Sequence, residues 1–293
     1  MEEKHFGPIW VLSTENRGRY PDCNSIFIQG PDILIDPAAE KSRLEEICRD
    51  EGVSEVWLSH AHEDHLKNLY LFGDRPLAAD EKDALAVTDI ELFLDSYGVA
   101  GETRKYWRDY VLDKFNFRPR EVSRILQPGE VIDLGSVTVD VIGTPGHTPG
   151  HLAFFFREPE VLFLADYDLT KFGPWYGDLR SSISDTVASI DKLRNWPAKV
   201  WITSHERGIL DEPPGQLWDD YLHVITVREE KLLDLLSEPR SFEEIIRACI
   251  VYWEPRKPEG FFDLGERGHM IKHLDKLMNE GRVLREKDKF VRL

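Results

Sequence analysis

The sequence predicts an α/β chain with a small α+β unit at its C-terminal end. Three observations predict this. Up to about residue 210, short apolar runs alternate with stretches of helical period. Four of those runs empty into loops that carry His or Asp. Past Pro213-Pro214-Gly215 the texture changes to longer amphipathic stretches.

The elements follow in order. Ile26-Phe27-Ile28 and Ile33-Leu34-Ile35 flank the turn Gly30-Pro31-Asp32, as in a hairpin. Residues 41–52 read as a helix with Leu44, Ile47 and Cys48 on one face. Val56-Trp57-Leu58 is a short buried strand running into a histidine cluster at 60–65. Residues 84–118 are helical and carry aromatics such as Phe93, Tyr97 and Trp107. They read as two packed helices or as a wall that shapes a pocket. Residues 137–142 alternate and lead into the loop 143–150; strands at 152–156 and 161–164 follow, and Val200-Trp201-Ile202 is the last.

Residues 216–237 form one amphipathic helix, and Ser241 with Glu244 makes a capping box that opens a second. A third helix spans roughly 264–279 and stops at Gly281. Residues 283–285 and 290–293 read as a hairpin. Three helices and a hairpin resemble a winged helix, whose third helix reads DNA. Here that helix mixes Glu266, Asp275 and Glu280 with Lys272 and Lys276, so packing or dimerisation is the expected role. The division is 1–212, a catalytic domain, and 213–293, a winged-helix-like domain.

Composition narrows the function. With 41% apolar and 31% charged residues, a packed core is expected and disorder is not. No apolar run approaches the roughly 18 residues of a membrane span, and the start Met-Glu-Glu-Lys-His-Phe lacks a secretory pattern. A cytoplasmic protein is expected. Cys23, Cys48 and Cys249 suit neither a disulfide framework nor a thiolate zinc site. Any metal is therefore held by nitrogen and oxygen. The net charge of −17 disfavours a nucleic-acid partner. A small-molecule substrate is expected, and a homodimer is compatible with the sequence.

The chemistry concentrates in Ser59-His60-Ala61-His62-Glu63-Asp64-His65. Neutral imidazole and carboxylate are good ligands for zinc, iron or manganese. In the extended part of such a turn, His60 and His62 point the same way and can grip one ion. Asp64 and His65 can grip a second. Three further candidates each follow a strand: His147, Asp166 and His205. Crowding imidazoles without a metal serves no structural purpose that we can name.

The 60–65 string resembles the signature of the metallo-β-lactamase fold, and the order His147, Asp166, His205 resembles the later motifs of its glyoxalase II-like and lactonase-like branch. The resemblance covers roughly residues 8–210. It implies a four-layer αββα sandwich with two divalent metal ions, zinc first and iron or manganese as alternatives. It assigns His60, His62 and His147 to one ion, Asp64, His65 and His205 to the other, and Asp166 to the bridge. Asp36, in Ile35-Asp36-Pro37, matches an aspartate that orients a ligating imidazole; the alternative is a turn aspartate before proline. The implied reaction is hydrolysis of an ester, thioester, lactone or phosphoester. Two dications lower the pKa of a shared water towards ~7, and Asp64 is placed to take its proton.

Alternatives within the fold are a mononuclear iron enzyme that oxidises sulfur species and a nuclease using the C-terminal unit. Tyr167, Trp175 and Tyr176 either line the entrance to the pocket or pack their loop down. The basic cluster that a glutathione thioesterase would show is not found; Arg207 is isolated. His151 is expected to support the ligands or sit in the core, and His5, His223, His269 and His273 read as ordinary residues.

Overall fold

A computed structural model describes residues 3–257 and 259–293. The first sheet has seven strands in chain order: β1 (Lys4–Phe6), β2 (Ile9–Leu12), β3 (Ser25–Ile28), β4 (Ile33–Ile35), β5 (Glu55–Trp57), β6 (Leu77–Ala79) and β7 (Arg124–Ile125). Pairing is antiparallel up to β4 and parallel beyond it. The second sheet contains β8 (Val131–Asp133), β9 (Thr138–Gly143), β10 (Leu152–Phe156), β11 (Val161–Phe163), β12 (Val200–Ile202) and β13 (Ile209–Leu210), in the order β13-β12-β11-β10-β9-β8. Only β11–β12 is parallel there.

Side chains on a strand alternate between faces, and both sheets use both faces. Ile26, Ile28 and Ile35 share one core with Val141, Phe154 and Phe163 of the opposite sheet. The alternate residues Phe27, Leu34 and Val56 pack instead with Leu44 and Ile47 of α1 (Lys41–Asp50). On the far side, Phe155, Leu162 and Trp201 pack with Ile190 and Leu193 of α5 (Ile183–Leu193). The layers therefore run helix, sheet, sheet, helix. A one-residue slip of β3 would exchange its two apolar faces, misplacing side chains whose burial is worth about 1.5–3 kcal/mol each.

The aromatic segment forms three helices, not two: α2 (Glu81–Thr88), α3 (Ile90–Tyr97) and α4 (Gly101–Lys114). Asp89 makes the break. It sits in extended backbone, and its carboxylate accepts from the amides of Glu91 and Leu92, capping α3.

The C-terminal elements are α6 (Leu217–Leu235), β14 (Arg240–Ser241), α7 (Phe242–Arg247), α8 (Glu259–Asn279), β15 (Val283–Glu286) and β16 (Lys289–Arg292). The Ser241–Glu244 capping box is formed. The last helix begins at Glu259, a turn earlier than its apolar pattern suggests. β14, β16 and β15 form a small sheet. Helix α6 serves two cores: Trp218 and Tyr221 pack on the second sheet, while Leu232 and Leu233 pack with Ile245, Leu274 and Phe290. Helix α8 turns Met270, His269 and His273 inward. At Gly268 it meets Gly177 so closely that a Cβ would lie 1.9 Å from the Gly177 carbonyl oxygen. No helix among the described residues is long and apolar enough to cross a membrane.

Candidate metal centre

The site forms where strands of both sheets end. Asp36 occupies left-handed backbone at φ 52° and aims its carboxylate at the start of the 60–65 turn. Its Oδ1 accepts from the Ser59 amide (2.8 Å) and its Oδ2 from the Ser59 hydroxyl (2.6 Å). Asp83 of α2 ties that turn to the 143–150 loop, accepting from the Ala61 amide, the Thr148 hydroxyl and the Gly150 amide. Gly146 has φ +132°, and a Cβ there would fall 2.3 Å from the Thr186 amide nitrogen. That close approach seats the His147 loop on α5. Ala165, immediately before Asp166, has φ 50°. Such backbone costs of order 1–3 kcal/mol for a residue with a side chain.

Seven side chains from separate stretches of the chain meet at this edge. His147 Nε2 lies 3.1 Å from His60 Nε2 and 2.9 Å from His62 Nδ1. Asp166 Oδ2 lies 3.3 Å from His147 Nε2 and 3.8 Å from His60 Nε2. Its other oxygen, Oδ1, lies 2.9 Å from His65 Nε2 and 3.5 Å from His205 Nε2. His205 Nε2 is 3.3 Å from Asp64 Oδ2. These seven residues fall into His60/His62/His147 and Asp64/His65/His205, with Asp166 reaching both; Asp166 and His205 also lie within ligand distance of Asp168.

Five imidazoles are held from behind. His60 Nδ1 meets the Ser59 hydroxyl (2.9 Å), His62 Nε2 the Asp178 carboxylate (2.6 Å), and His65 Nδ1 the Asp36 carboxylate (2.9 Å). His147 Nδ1 meets the Trp175 carbonyl (3.2 Å) and His205 Nδ1 the Gly18 carbonyl (2.6 Å). Each ring thereby directs its remaining nitrogen inward, as orienting partners of metal ligands do.

The donor set fits metal ions. Ligands about 2.0–2.1 Å from a tetrahedral zinc lie roughly 3.3 Å from one another, within the spacings above. His65 Nε2 and Asp166 Oδ1 are buried, face each other, and have no hydrogen-bond partner among the described residues. A metal ion held by these two residues would supply what both lack. Burial pushes the His60 ring well below its usual range, towards the neutral form. At His62, His65 and His205 burial acts the same way, but the surrounding negative groups outweigh it and raise the rings, a concentration of negative charge that suits a cation. Burial alone would raise Asp166, but the rings of His65, His205 and His60 outweigh it and hold the carboxyl well below its usual range.

A cavity of about 450 Å³ opens over the cluster, with His62, Asp64, His147, Asp166 and His205 in its floor. Tyr97 and Trp107 of the helical segment form part of its wall, so this segment shapes the pocket. Tyr252, Arg256, Phe262 and Leu264 contribute another part from the C-terminal elements. Trp175 lines the cavity, but Tyr167 and Tyr176 do not. Both are fully buried: Tyr167 donates to the Thr144 and Pro145 carbonyls, and the Tyr176 hydroxyl meets His273 and Arg228. In an irregular loop, neighbouring aromatics face different ways. Arg207 binds the Leu169 carbonyl and stands outside the cavity lining. His151 is buried beside the cluster, its Nδ1 on the Thr144 hydroxyl.

Several residues of the site carry no signal in the sequence. Asp178 and Asp83 lie outside any recognisable string, as does Asp168, which accepts from the His205 amide. Glu63 lies inside the string yet has no legible role there; it accepts from the hydroxyls of Tyr20 and Tyr97.

Fold and site together define a class, an αββα sandwich with a His/Asp metal-binding cluster at one edge of its facing sheets. The chain belongs to the Metallo-beta-lactamase superfamily, whose sequence pattern matches residues 19–205. It is 30% identical over 240 residues to the acyl-coenzyme A thioesterase MBLAC2 of Bos taurus, covering 78% of this chain and 77% of that protein. It is 31% identical over 115 residues to a hydroxyacylglutathione hydrolase of Hyphomonas neptunium, covering 39% of this chain and 33% of that one. Against the Gallus gallus MBLAC2 thioesterase the chain spans 48% of the relative's length. A metallo-beta-lactamase family protein from Thermus thermophilus superposes with a TM-score of 0.71 at 25% identity, covering 98% of this chain and 99% of that one. A beta-lactamase domain protein from Burkholderia ambifaria, at 16% identity, shares the fold with a TM-score of 0.72 over 100% of this chain and 94% of its own.

Proposed function

We propose that the protein is a dinuclear metal-dependent hydrolase of thioesters. One observation carries this reading: the two oxygens of Asp166 face two different ligand groups, Oδ1 towards His65 and Oδ2 towards His147. His60, His62 and His147 would hold one ion, Asp64, His65 and His205 the other, with zinc the native metal. When bound, such a pair supplies a hydroxide at neutral pH and polarises the substrate carbonyl. Asp64, with Oδ2 beside the second group and its side chain in the cavity floor, takes the proton of the attacking water. Phe172, Trp175 and Tyr252 give the cavity an apolar wall against which an acyl chain could pack.

The thioester class rests on the relatives and on the pocket. Arg19 and Arg256 line the cavity, and neither makes an ion pair with a described carboxylate, in a chain of net charge −17. Unpaired guanidinium groups suit an anionic acyl carrier such as coenzyme A or glutathione. We further read 1–212 as the catalytic domain of a cytoplasmic enzyme and 213–293 as a winged-helix-like domain that serves as pocket wall.

The test is thioester cleavage by protein stripped of metal and reloaded. Acyl-coenzyme A and S-acylglutathione substrates are followed by thiol release. Activity that is absent from the stripped protein and returns with two equivalents of zinc supports the reading. Oxygen uptake with one iron per chain, and no thiol release, overturns it.

A further inference from the structure

We propose that Arg228, on α6 in the C-terminal elements, is a positioning residue for the His60/His62/His147 group, acting through the strap formed by residues 172–178. The inference rests on the metal-site reading above and extends it to a helix far from the ligands in sequence.

The strap touches the ligand group directly. The Trp175 carbonyl accepts from His147 Nδ1, and Asp178 Oδ2 lies 2.6 Å from His62 Nε2. Trp175 Nε1 in turn donates to Asp178 Oδ1 (3.0 Å). Two of the three imidazoles in this group are thus aimed by one seven-residue segment without regular secondary structure.

What holds the strap is Arg228. Its NH1 donates to the Pro174 carbonyl (3.0 Å) and the Tyr176 hydroxyl (3.1 Å), and its NH2 to the Phe172 carbonyl (2.7 Å). The guanidinium also lies 4.8 Å from the Phe172 ring centroid and 5.5 Å from that of Tyr176. The residue is 2% exposed, and it makes no ion pair with a described carboxylate. A buried cation without a counterion costs several kcal/mol. Hydrogen bonds to carbonyls and aromatic faces offset part of that, but an apolar side chain would fill the same space without the cost. The planar fork does what an apolar side chain cannot: it fixes two carbonyls and a phenol of the strap at once. Helix α8 completes the clamp. Its His269 Nε2 accepts from the Tyr176 amide, and His273 Nε2 meets the Tyr176 hydroxyl.

The experiment compares wild type with Arg228→Met and Arg228→Lys in the full chain. Readouts are zinc affinity by chelator competition, anomalous diffraction at limiting zinc, thermal stability and thioester turnover. Arg228→Met is expected to weaken zinc about 10–100-fold at the His60/His62/His147 position. The Asp64/His65/His205 position should keep its occupancy, excess zinc should restore turnover, and Arg228→Lys should fall between. Equal loss at both positions, or unchanged affinity at both, overturns the proposal. Should Arg228→Met fail to fold, Tyr176→Phe removes one of the three contacts and must lower the same affinity in the same direction. A wild type that binds fewer than two ions would instead refute the dinuclear reading, so the two failures are distinguishable.

Discussion

His62 and Asp178 are separated by 116 residues, yet His62 Nε2 lies 2.6 Å from Asp178 Oδ2; both are buried, and His62 lies in the cavity floor. The carboxylate faces the nitrogen opposite the one that meets His147. It fixes the ring plane and makes Nδ1 the inward atom. Asp178→Ala is expected to lower affinity for one ion about 10–100-fold and leave the second ion in place. Zinc titration with a fluorescent chelator checks this; an unchanged affinity contradicts it.

Gly146 tests the seating of His147. A methyl group there would collide with the Thr186 backbone, and φ +132° is strained for any residue with a side chain. Gly146→Ala should lose at least about 2 kcal/mol of stability and weaken metal binding as His147 shifts. Urea unfolding of the metal-free protein measures the first effect and chelator competition the second.

Leu264 tests the C-terminal wall. It lines the cavity and belongs to neither ligand group. Leu264→Trp should raise KM for long-chain acyl thioesters at least tenfold and change acetyl thioesters little. Two ions should remain bound. A uniform loss across chain lengths would place the wall outside the substrate path.

Glu229 links the last helices to pH. The His273 ring, Lys276 and Arg282 pull its carboxyl from 4.5 down to about 2. Lys276 Nζ lies 2.6 Å away, and both cations remain partly exposed. A carboxyl lowered in the folded state stabilises it fully above the unfolded value, near 4.5, and this contribution fades as pH falls towards about 2. Glu229→Gln should therefore cost about 1–2 kcal/mol near pH 6, given solvent screening of both cations. The gap to wild type should close progressively below pH 4.5, as read by chemical unfolding.

How much of this is legible in the sequence varies with the kind of residue. The 60–65 string stands out because three imidazoles and a carboxylate in six positions form a local pattern. The alternation in β9, the short apolar runs of β3 and β4 and the Ser241–Glu244 box are equally local, and the fold displays them. The residues behind the ligands are different. Asp178, Asp83 and Arg228 act through contacts between distant segments, so no window of sequence contains both partners. The 172–178 strap has no period, so nothing in it distinguishes the cavity-facing Trp175 from the buried Tyr176. The break at Asp89 is hidden because one aspartate in a helical pattern reads as a polar face until its capping bonds are seen.

The central claim is that Asp166 joins two metal positions. Metal content of freshly purified wild type and of Asp166→Asn, measured by plasma mass spectrometry against protein concentration, tests it most directly. The account predicts two divalent ions per wild-type chain, and loss of both affinities in the variant. A single ion per wild-type chain, or an Asp166→Asn protein that keeps two, would contradict it.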